Sequence, residues 1–408
     1  MSPRLTVSIC FVLIGIGHVA ALWFDLYRLV TLSFIVAIVL AHGSASARAR
    51  HSSGIGRGLL LVSPVYLYAL ISTQWSPDPS TALRDAAYMC IAVGPAVTLG
   101  VVLTRRYSGL LVAQGLGLLL LPFAVQAVVS TLERGDPMLV ANGSMRSLLG
   151  SVICLISPVL AGAWVLTKRR RFLLFGLISA MLAVTMESRS VILFAVPAAL
   201  VSLYLHDRRL ALRILLRGVL PLAILLVFVD PNLLVRFSSA STNLNVGESV
   251  IEELQRPPEE RVDFERRLTT FTAIKTFREH PLFGQGYSSI RQIHEIEYGF
   301  ELSAHGLIPG TLSELGLVGI GILTLTLWRV YRSARWAMRA PESGDPMIIH
   351  FAVGLCTLLV LGLFHQTIES VFFGLTLGLL IGICPITRPR RASARIAFQS
   401  NVTSPSSK

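Results

Sequence analysis

Long apolar runs recur along the whole chain and are separated by short polar segments. A run of about 20 apolar residues crosses the roughly 30 Å hydrocarbon core of a bilayer as a helix. The pattern therefore predicts an all-α polytopic membrane protein with about twelve spans. The predicted spans lie near residues 5–23, 29–41, 58–74, 86–103, 109–131, 147–167, 172–186, 191–205, 214–229, 307–328, 348–364 and 371–386.

The stretch from residue 172 to 205 is apolar except for Glu187, Ser188 and Arg189 near its middle. One helix of that length would measure about 51 Å, which exceeds a single crossing. We therefore predict two short spans joined by a turn at these three residues. Arg189 would lie near membrane depth, where an ionisable side chain is costly unless it is paired or lines a wet cavity. A salt bridge to Glu187 or an ordinary interfacial position would also account for it.

Composition supports the membrane assignment, and the distribution of basic residues predicts the orientation of the chain in the membrane. Hydrophobic residues make up 53% of the 408 positions and charged residues 14%, too little polar surface for a water-soluble globule of this size. Basic residues collect in alternate loops, which predicts that those loops and both termini are cytoplasmic. The formal net charge is +13, but residues 231–304 carry 8 basic and 11 acidic side chains. The excess of positive charge therefore belongs mainly to the predicted cytoplasmic loops. We expect no nucleic-acid partner.

The five cysteines fall inside predicted spans and form no C-x-x-C pair. The sequence thus predicts neither disulfides nor a thiolate metal site. No Walker-type or dinucleotide glycine motif occurs, and we expect no cofactor. Four regions follow: spans one to nine (1–230), an extracytoplasmic loop (231–304), spans ten to twelve (305–387), and a disordered, basic cytoplasmic tail (388–408).

The loop over residues 231–304 has a helical pattern of its own. Pro258 and the acidic residues after it are typical of a helix start, and His280-Pro281 ends a helix predicted from 259 to about 279. Leu268, Phe271, Ile274 and Phe277 recur at near-helical spacing, which predicts a face packed against the membrane or the span bundle. Such a loop is typical of a functional lid or platform, although an insertion that serves only assembly has the same composition.

Polar residues from distant parts of the sequence converge on the predicted outer face. They are Arg189, the pair Arg266 and Arg267, His305 before the tenth span, and Glu369 between the last two spans. Arginine donates paired hydrogen bonds to phosphates, and histidine can accept a proton at neutral pH. The set predicts a cradle for an anionic phosphate beside a proton acceptor. Solvated arginines and an interfacial histidine are the alternative interpretation.

The segment after the loop resembles the O-antigen ligase and polymerase superfamily of bacterial membrane glycosyltransferases. Its hallmark is a His followed nine residues later by Glu and then by two glycines, and His305, Glu314, Gly316 and Gly319 follow that spacing. The family usually has Asn after the His, where this chain has Gly306.

Three further elements carry the resemblance. The sequence from Phe277 to Gly286 is similar to the family's helix-ending "hPl-G-G" element, and counting back from it assigns the essential loop arginine to Arg266, with Arg267 as the alternative. Ser188-Arg189 resembles the element that opens the eighth span. Trp75-Ser76-Pro77-Asp78-Pro79 resembles the family's "WS-x-D-P" turn.

The resemblance implies a metal-independent inverting transferase in the bacterial inner membrane. It would move a preassembled glycan from undecaprenyl pyrophosphate to an acceptor sugar hydroxyl, with membrane lipids around it. Catalytic roles would fall to His305, Arg266, Arg189 and Glu369. Substrate contacts would fall to Arg267, Gly284, Gly286 and Glu314.

The single dominant outer loop favours a ligase with a lipid A–core acceptor. A polymerase that joins lipid-linked repeat units is the alternative within the family. A transporter of the lipid-linked glycan is the alternative of another class.

Overall fold

The computed structural model describes residues 2–23, 28–43, 53–134, 143–185, 189–219, 258–299, 302, 306–339, 345–362 and 371–383. In this part of the chain every regular element is helical. The α-helices are α1 (Pro3–Trp23), α2 (Arg28–Gly43), α3 (Ser53–Ser72), α4 (Pro79–Arg106), α5 (Gly109–Arg134), α6 (Gly143–Thr167), α7 (Arg170–Thr185), α8 (Arg189–Tyr204), α9 (Arg208–Ile214), α10 (Pro258–Glu279), α11 (Ser289–Tyr298), α12 (Leu307–Arg339), α13 (Ile348–Leu361) and α14 (Val371–Ile383).

Five of these helices are long and apolar enough to cross a membrane: α1, α4, α5, α6 and α12. This length and composition are those of a helical membrane protein. Helices occupy eleven of the predicted spans, and the described part of the remaining one, the ninth (residues 214–219), is also helical. The all-α architecture is confirmed, while the number of crossings stays a prediction.

The division of the 172–205 stretch into two helices is confirmed, because α7 ends at Thr185 and α8 begins at Arg189. Helix α8 packs against α6 and α13. The helix predicted from 259 to about 279 is also confirmed: α10 begins at Pro258 and ends at Glu279, directly before His280-Pro281.

The last helix, α14, packs backbone to backbone against α4. Gly374, Gly378 and Gly382 recur every four residues along one face of α14, and Gly100 lies on the facing side of α4. A Cβ atom at Gly378 would overlap the carbonyl oxygen of Val97, and one at Gly100 would lie 2.5 Å from the Leu375 carbonyl oxygen. Small residues at this spacing let helices approach closely in a membrane protein, where dispersion contacts drive packing.

We expect Gly378→Leu to destabilise the bundle by about 1–3 kcal/mol or more, because the new side chain has no space between the two backbones. The thermal midpoint of the purified protein in detergent measures this effect. Gly94→Leu on α4 is the matched control, since no atom lies within 4 Å of its Cβ position. Equal midpoints for the two variants would contradict the backbone contact.

Helix α10 packs along α12, and only part of the predicted apolar face is buried against protein. Leu268 is buried as expected, but Phe271 and Ile274 are 48% and 46% exposed. The buried positions also include Thr269, Thr272, Ala273 and Thr276. Apolar spacing alone does not separate a face packed on protein from a face turned away from it, because in a lipid-embedded protein both are apolar.

Candidate functional site

Helix α12 is broken at Gly316, whose φ of 65° and ψ of −167° are not helical. The loop from residue 281 to 286 fills the break. The N–H groups of Leu317 and Val318 donate to the carbonyl oxygens of Pro281 and Leu282, at 2.9 and 3.1 Å. In return, the carbonyl oxygens of residues 313 and 314 accept from the N–H groups of residues 285 and 286, both at 2.9 Å. The loop therefore replaces the hydrogen bonds that the broken helix has lost.

Three glycines allow this exchange. Gly284, Gly286 and Gly316 have φ values of +70°, +95° and +65°, a region that glycine adopts without steric cost. A Cβ atom at Gly284 would overlap the carbonyl group of Glu314. Two of the residues predicted to bind substrate, Gly284 and Gly286, thus have a backbone role, and their substrate contacts stay a prediction.

A third segment, the turn over residues 72–78, completes this assembly. A Cβ atom at Gly286 would lie 2.7 Å from both the Ser72 carbonyl oxygen and the Ser76 nitrogen. The Ser72 hydroxyl accepts from the Tyr287 N–H at 3.1 Å. We call the combination of residues 72–78, 281–288 and 313–318 the glycine junction.

Gln292 ties helix α11 to the same turn. Its side-chain oxygen accepts from the Ser76 hydroxyl and the Asp78 N–H, each at 2.8 Å, and its amide nitrogen donates to the Asp78 carbonyl at 3.1 Å. The side chain is 2% exposed. Three of the four hydrogen-bonding positions of this buried amide are therefore used, which holds α11 on the turn.

Asp78 begins the next helix. Its carboxylate accepts from the N–H groups of Ser80 and Thr81, at 3.0 and 3.2 Å, and so caps α4. Hydrogen bonds from Thr81 and Ser80 lower the pKa of Asp78 to about 2. The carboxylate is therefore ionised at neutral pH, as the helix N-terminus favours.

An ion pair fixes the other side of α11 to α4. The Ser288 hydroxyl donates to Asp85 Oδ2 at 2.9 Å, and Arg291 Nη1 lies 3.2 Å from the same oxygen. The sequence patterns considered above did not predict α11. Its ten residues carry mostly polar side chains. The partners of Arg291 and Gln292 lie more than two hundred positions away in the sequence.

Aromatic rings line the edge of the glycine junction. Trp75 lies between Tyr68 and Phe283, with ring centroids 6.3 and 6.4 Å away, and the Tyr68 hydroxyl donates to the Phe283 carbonyl at 3.4 Å. Trp75 and Phe283 are 38% and 56% exposed. Tryptophan and tyrosine at a membrane protein's rim are typical of the boundary between lipid and water.

His294 on α11 joins two other segments. Its Nδ1 lies 3.0 Å from the carbonyl oxygen of Leu302, and its Nε2 lies 3.0 Å from the Thr272 hydroxyl on α10. The ring is completely buried. Burial lowers the pKa of His294, against smaller opposing effects of the Leu302 carbonyl and Glu297. The ring is thus neutral at pH 7, and because a carbonyl only accepts, the hydrogen is on Nδ1.

The described residues on either side of His305 are both held in place. Leu302 accepts the hydrogen bond from His294. Gly306 is buried with a φ of +95°. The Leu307 N–H donates to the carbonyl oxygen of Gly362, which follows α13. The start of α12 and the end of α13 therefore lie side by side.

The predicted charged residues stand at several distinct places. Arg266 and Arg267 lie in the first half of α10, and Arg189 begins α8. Glu314 is buried in α12 beside the break. His305, Glu369 and the side chains of the three arginines lie outside what the structure describes.

Comparisons with known proteins give no information about the function of this chain. No protein-family model matches the sequence, and a search of curated proteins finds no relative. Within the described ranges, no group of three or more His, Cys, Asp or Glu side chains could hold a metal ion.

Proposed function

We propose that this protein is a metal-independent inverting glycosyltransferase of the ligase type. An acceptor sugar hydroxyl attacks the anomeric carbon of a glycan linked to undecaprenyl pyrophosphate. The new glycosidic bond forms as the bond to the pyrophosphate oxygen breaks, and the hydroxyl proton passes to a base. The lipid pyrophosphate leaves as an anion. The reaction takes place at the outer face of the bacterial inner membrane, with both termini cytoplasmic.

The observation that carries this proposal is the glycine junction. It joins three short elements that resemble separate motifs of one family: the turn at Trp75, the loop through Gly284 and Gly286, and the Glu314-Leu315-Gly316 segment. The loop and the Glu314 segment exchange backbone hydrogen bonds, and the turn bonds to Tyr287, next to the loop, through the Ser72 and Ser76 hydroxyls. Motifs that together form one site are expected to meet in this way.

Gly306 supports the same assignment. The family pattern has Asn at this position, and Gly306 adopts a φ of +95°. Asparagine is among the few residues that tolerate positive φ, after glycine. A backbone requirement at this position therefore explains why glycine can replace the usual residue.

The roles follow from the chemistry of each group. His305 accepts the proton of the attacking hydroxyl, and its neighbours Leu302 and Leu307 are both anchored. Arg189 and Arg266, or Arg267 in place of Arg266, neutralise the departing pyrophosphate. Glu369 orients His305 or an arginine. Chain continuity favours this last role, because Glu369 lies between Gly362, which is bonded to Leu307, and the start of α14.

A transporter for the same lipid-linked glycan is the second candidate, since transporters often contain broken helices that bind substrate at their free ends. The break at Gly316 does not offer such ends. The carbonyl oxygens of residues 313 and 314 and the N–H groups of residues 317 and 318 are hydrogen-bonded to residues 281–286. This occupied break favours a rigid catalytic scaffold over a transport site.

The decisive experiment incubates purified protein with an undecaprenyl pyrophosphate-linked glycan, with and without a lipid A–core acceptor. A ligase is expected to release undecaprenyl pyrophosphate only when the acceptor is present, and to yield glycosylated lipid A–core. A polymerase would instead lengthen the glycan with donor alone. Movement of intact donor across proteoliposomes, without release of pyrophosphate, would overturn the proposal in favour of transport.

A further inference from the structure

The His294 ring connects three parts of the extracytoplasmic region that carry or adjoin the proposed catalytic groups. Thr272 lies on α10, about 9 Å along the helix axis from Arg266. Leu302 lies three residues before His305. The ring itself belongs to α11, which Gln292 and Arg291 fix to the turn at residues 72–78 and to α4.

We infer that His294 is a positioning residue for glycan transfer. It holds Leu302, three residues before His305, at a fixed distance from the helix that bears Arg266. This inference rests on the proposed function of His305 and Arg266.

Both ring nitrogens are hydrogen-bonded, and the bond to Leu302 carries this role because Gln292 and Arg291 also fix α11 in place. The Nδ1–H donates to the Leu302 carbonyl, and Nε2 accepts from the Thr272 hydroxyl, each at 3.0 Å. Side-chain contacts also orient the ring, since the Tyr298 ring packs on it with centroids 5.7 Å apart. A displacement of about 1 Å between a base and its reaction partner lowers a rate about a hundredfold. Loss of the Leu302 bond therefore affects the chemical step rather than donor binding.

Three substitutions separate the two hydrogen bonds. His294→Asn places an amide donor near the Nδ1 position and retains the bond to Leu302. His294→Gln reaches the Nε2 position, toward Thr272, and loses the bond to Leu302. His294→Ala loses both, and Glu295→Ala, at the exposed neighbouring position on α11, is the matched control.

We expect kcat to fall about tenfold to a hundredfold in His294→Ala and His294→Gln, with little change in KM for the donor. His294→Asn is expected to recover most of the rate, and Glu295→Ala to retain all of it. A purely structural role would lower the amount of folded protein without changing kcat per folded molecule. Equal recovery by Asn and Gln, or an unchanged kcat in His294→Gln, would overturn the inference.

Hydrogen exchange of the purified variants provides a readout that does not depend on transfer activity. Amide exchange around Leu302 is expected to increase in His294→Gln but not in His294→Asn. If the wild type transfers no glycan, the proposed function has failed, and the exchange measurement alone still decides whether His294 holds this segment. Equal exchange in both variants would show that it does not.

Discussion

Replacement of Gly316 by alanine is expected to destabilise the protein by about 2–6 kcal/mol. The backbone at φ 65° and ψ −167° belongs to a region that is essentially restricted to glycine, so alanine adds strain of about 1–3 kcal/mol. The new methyl group would also overlap the Leu282 carbonyl oxygen and lie 2.5 Å from the Gly284 nitrogen. Neither backbone group can move without breaking the exchanged hydrogen bonds.

The thermal midpoint and the yield of folded protein in detergent measure this effect. Gly321→Ala is a matched control on the same helix, because no atom lies within 4 Å of its Cβ position. Helix propensity alone would stabilise that variant by up to about 1 kcal/mol. If Gly316→Ala melts together with Gly321→Ala, the break in α12 does not have the backbone described here.

The second large effect is expected at His305. We predict that His305→Ala reduces glycan transfer about 10²–10⁴-fold, the usual contribution of a general base. The thermal midpoint should stay near the wild-type value, because the neighbouring residues Leu302 and Leu307 are held through their backbone oxygen and nitrogen atoms. The initial rate of transfer to lipid A–core, with purified protein and saturating donor, measures the loss.

Two control variants lie on the other predicted face. His206→Ala removes an exposed histidine between α8 and α9, and Arg208→Glu reverses a charge at the start of α9. Both are expected to retain most of the activity. If His305→Ala transfers glycan at more than a tenth of the wild-type rate, His305 is not the base. Another residue would then have to accept the proton of the attacking hydroxyl.

Much of the helical framework could be predicted from local pattern. Apolar runs identified the segments that form helices, and the interruption at Glu187 to Arg189 separated α7 from α8. Pro258 and His280-Pro281 marked the ends of α10, since proline favours the first turn of a helix and disrupts its continuation. Each of these signals acts within a few residues of the feature that it predicts.

The site was predictable only in part. Gly284, Gly286 and Glu314 were identified as members of one site, and the structure brings their backbones together. Gln292, His294 and Asp85 carried no signal in the sequence. Their importance comes from partners in other helices, and a polar residue in a loop has the same local pattern whether it is solvated or buried.

The sequence by itself determined that this chain is helical, apolar and divided by one long polar loop, because hydrophobicity and helix ends are local properties. Only the tertiary structure decided that α12 breaks at Gly316 and that the 281–286 loop fills the break. Such a break is stable only when its lost hydrogen bonds are replaced. The replacing groups are backbone atoms, and because nearly every residue has the same backbone groups, the sequence does not indicate which of them will pair. The glycines show where backbones approach, but the fold decides which backbones meet.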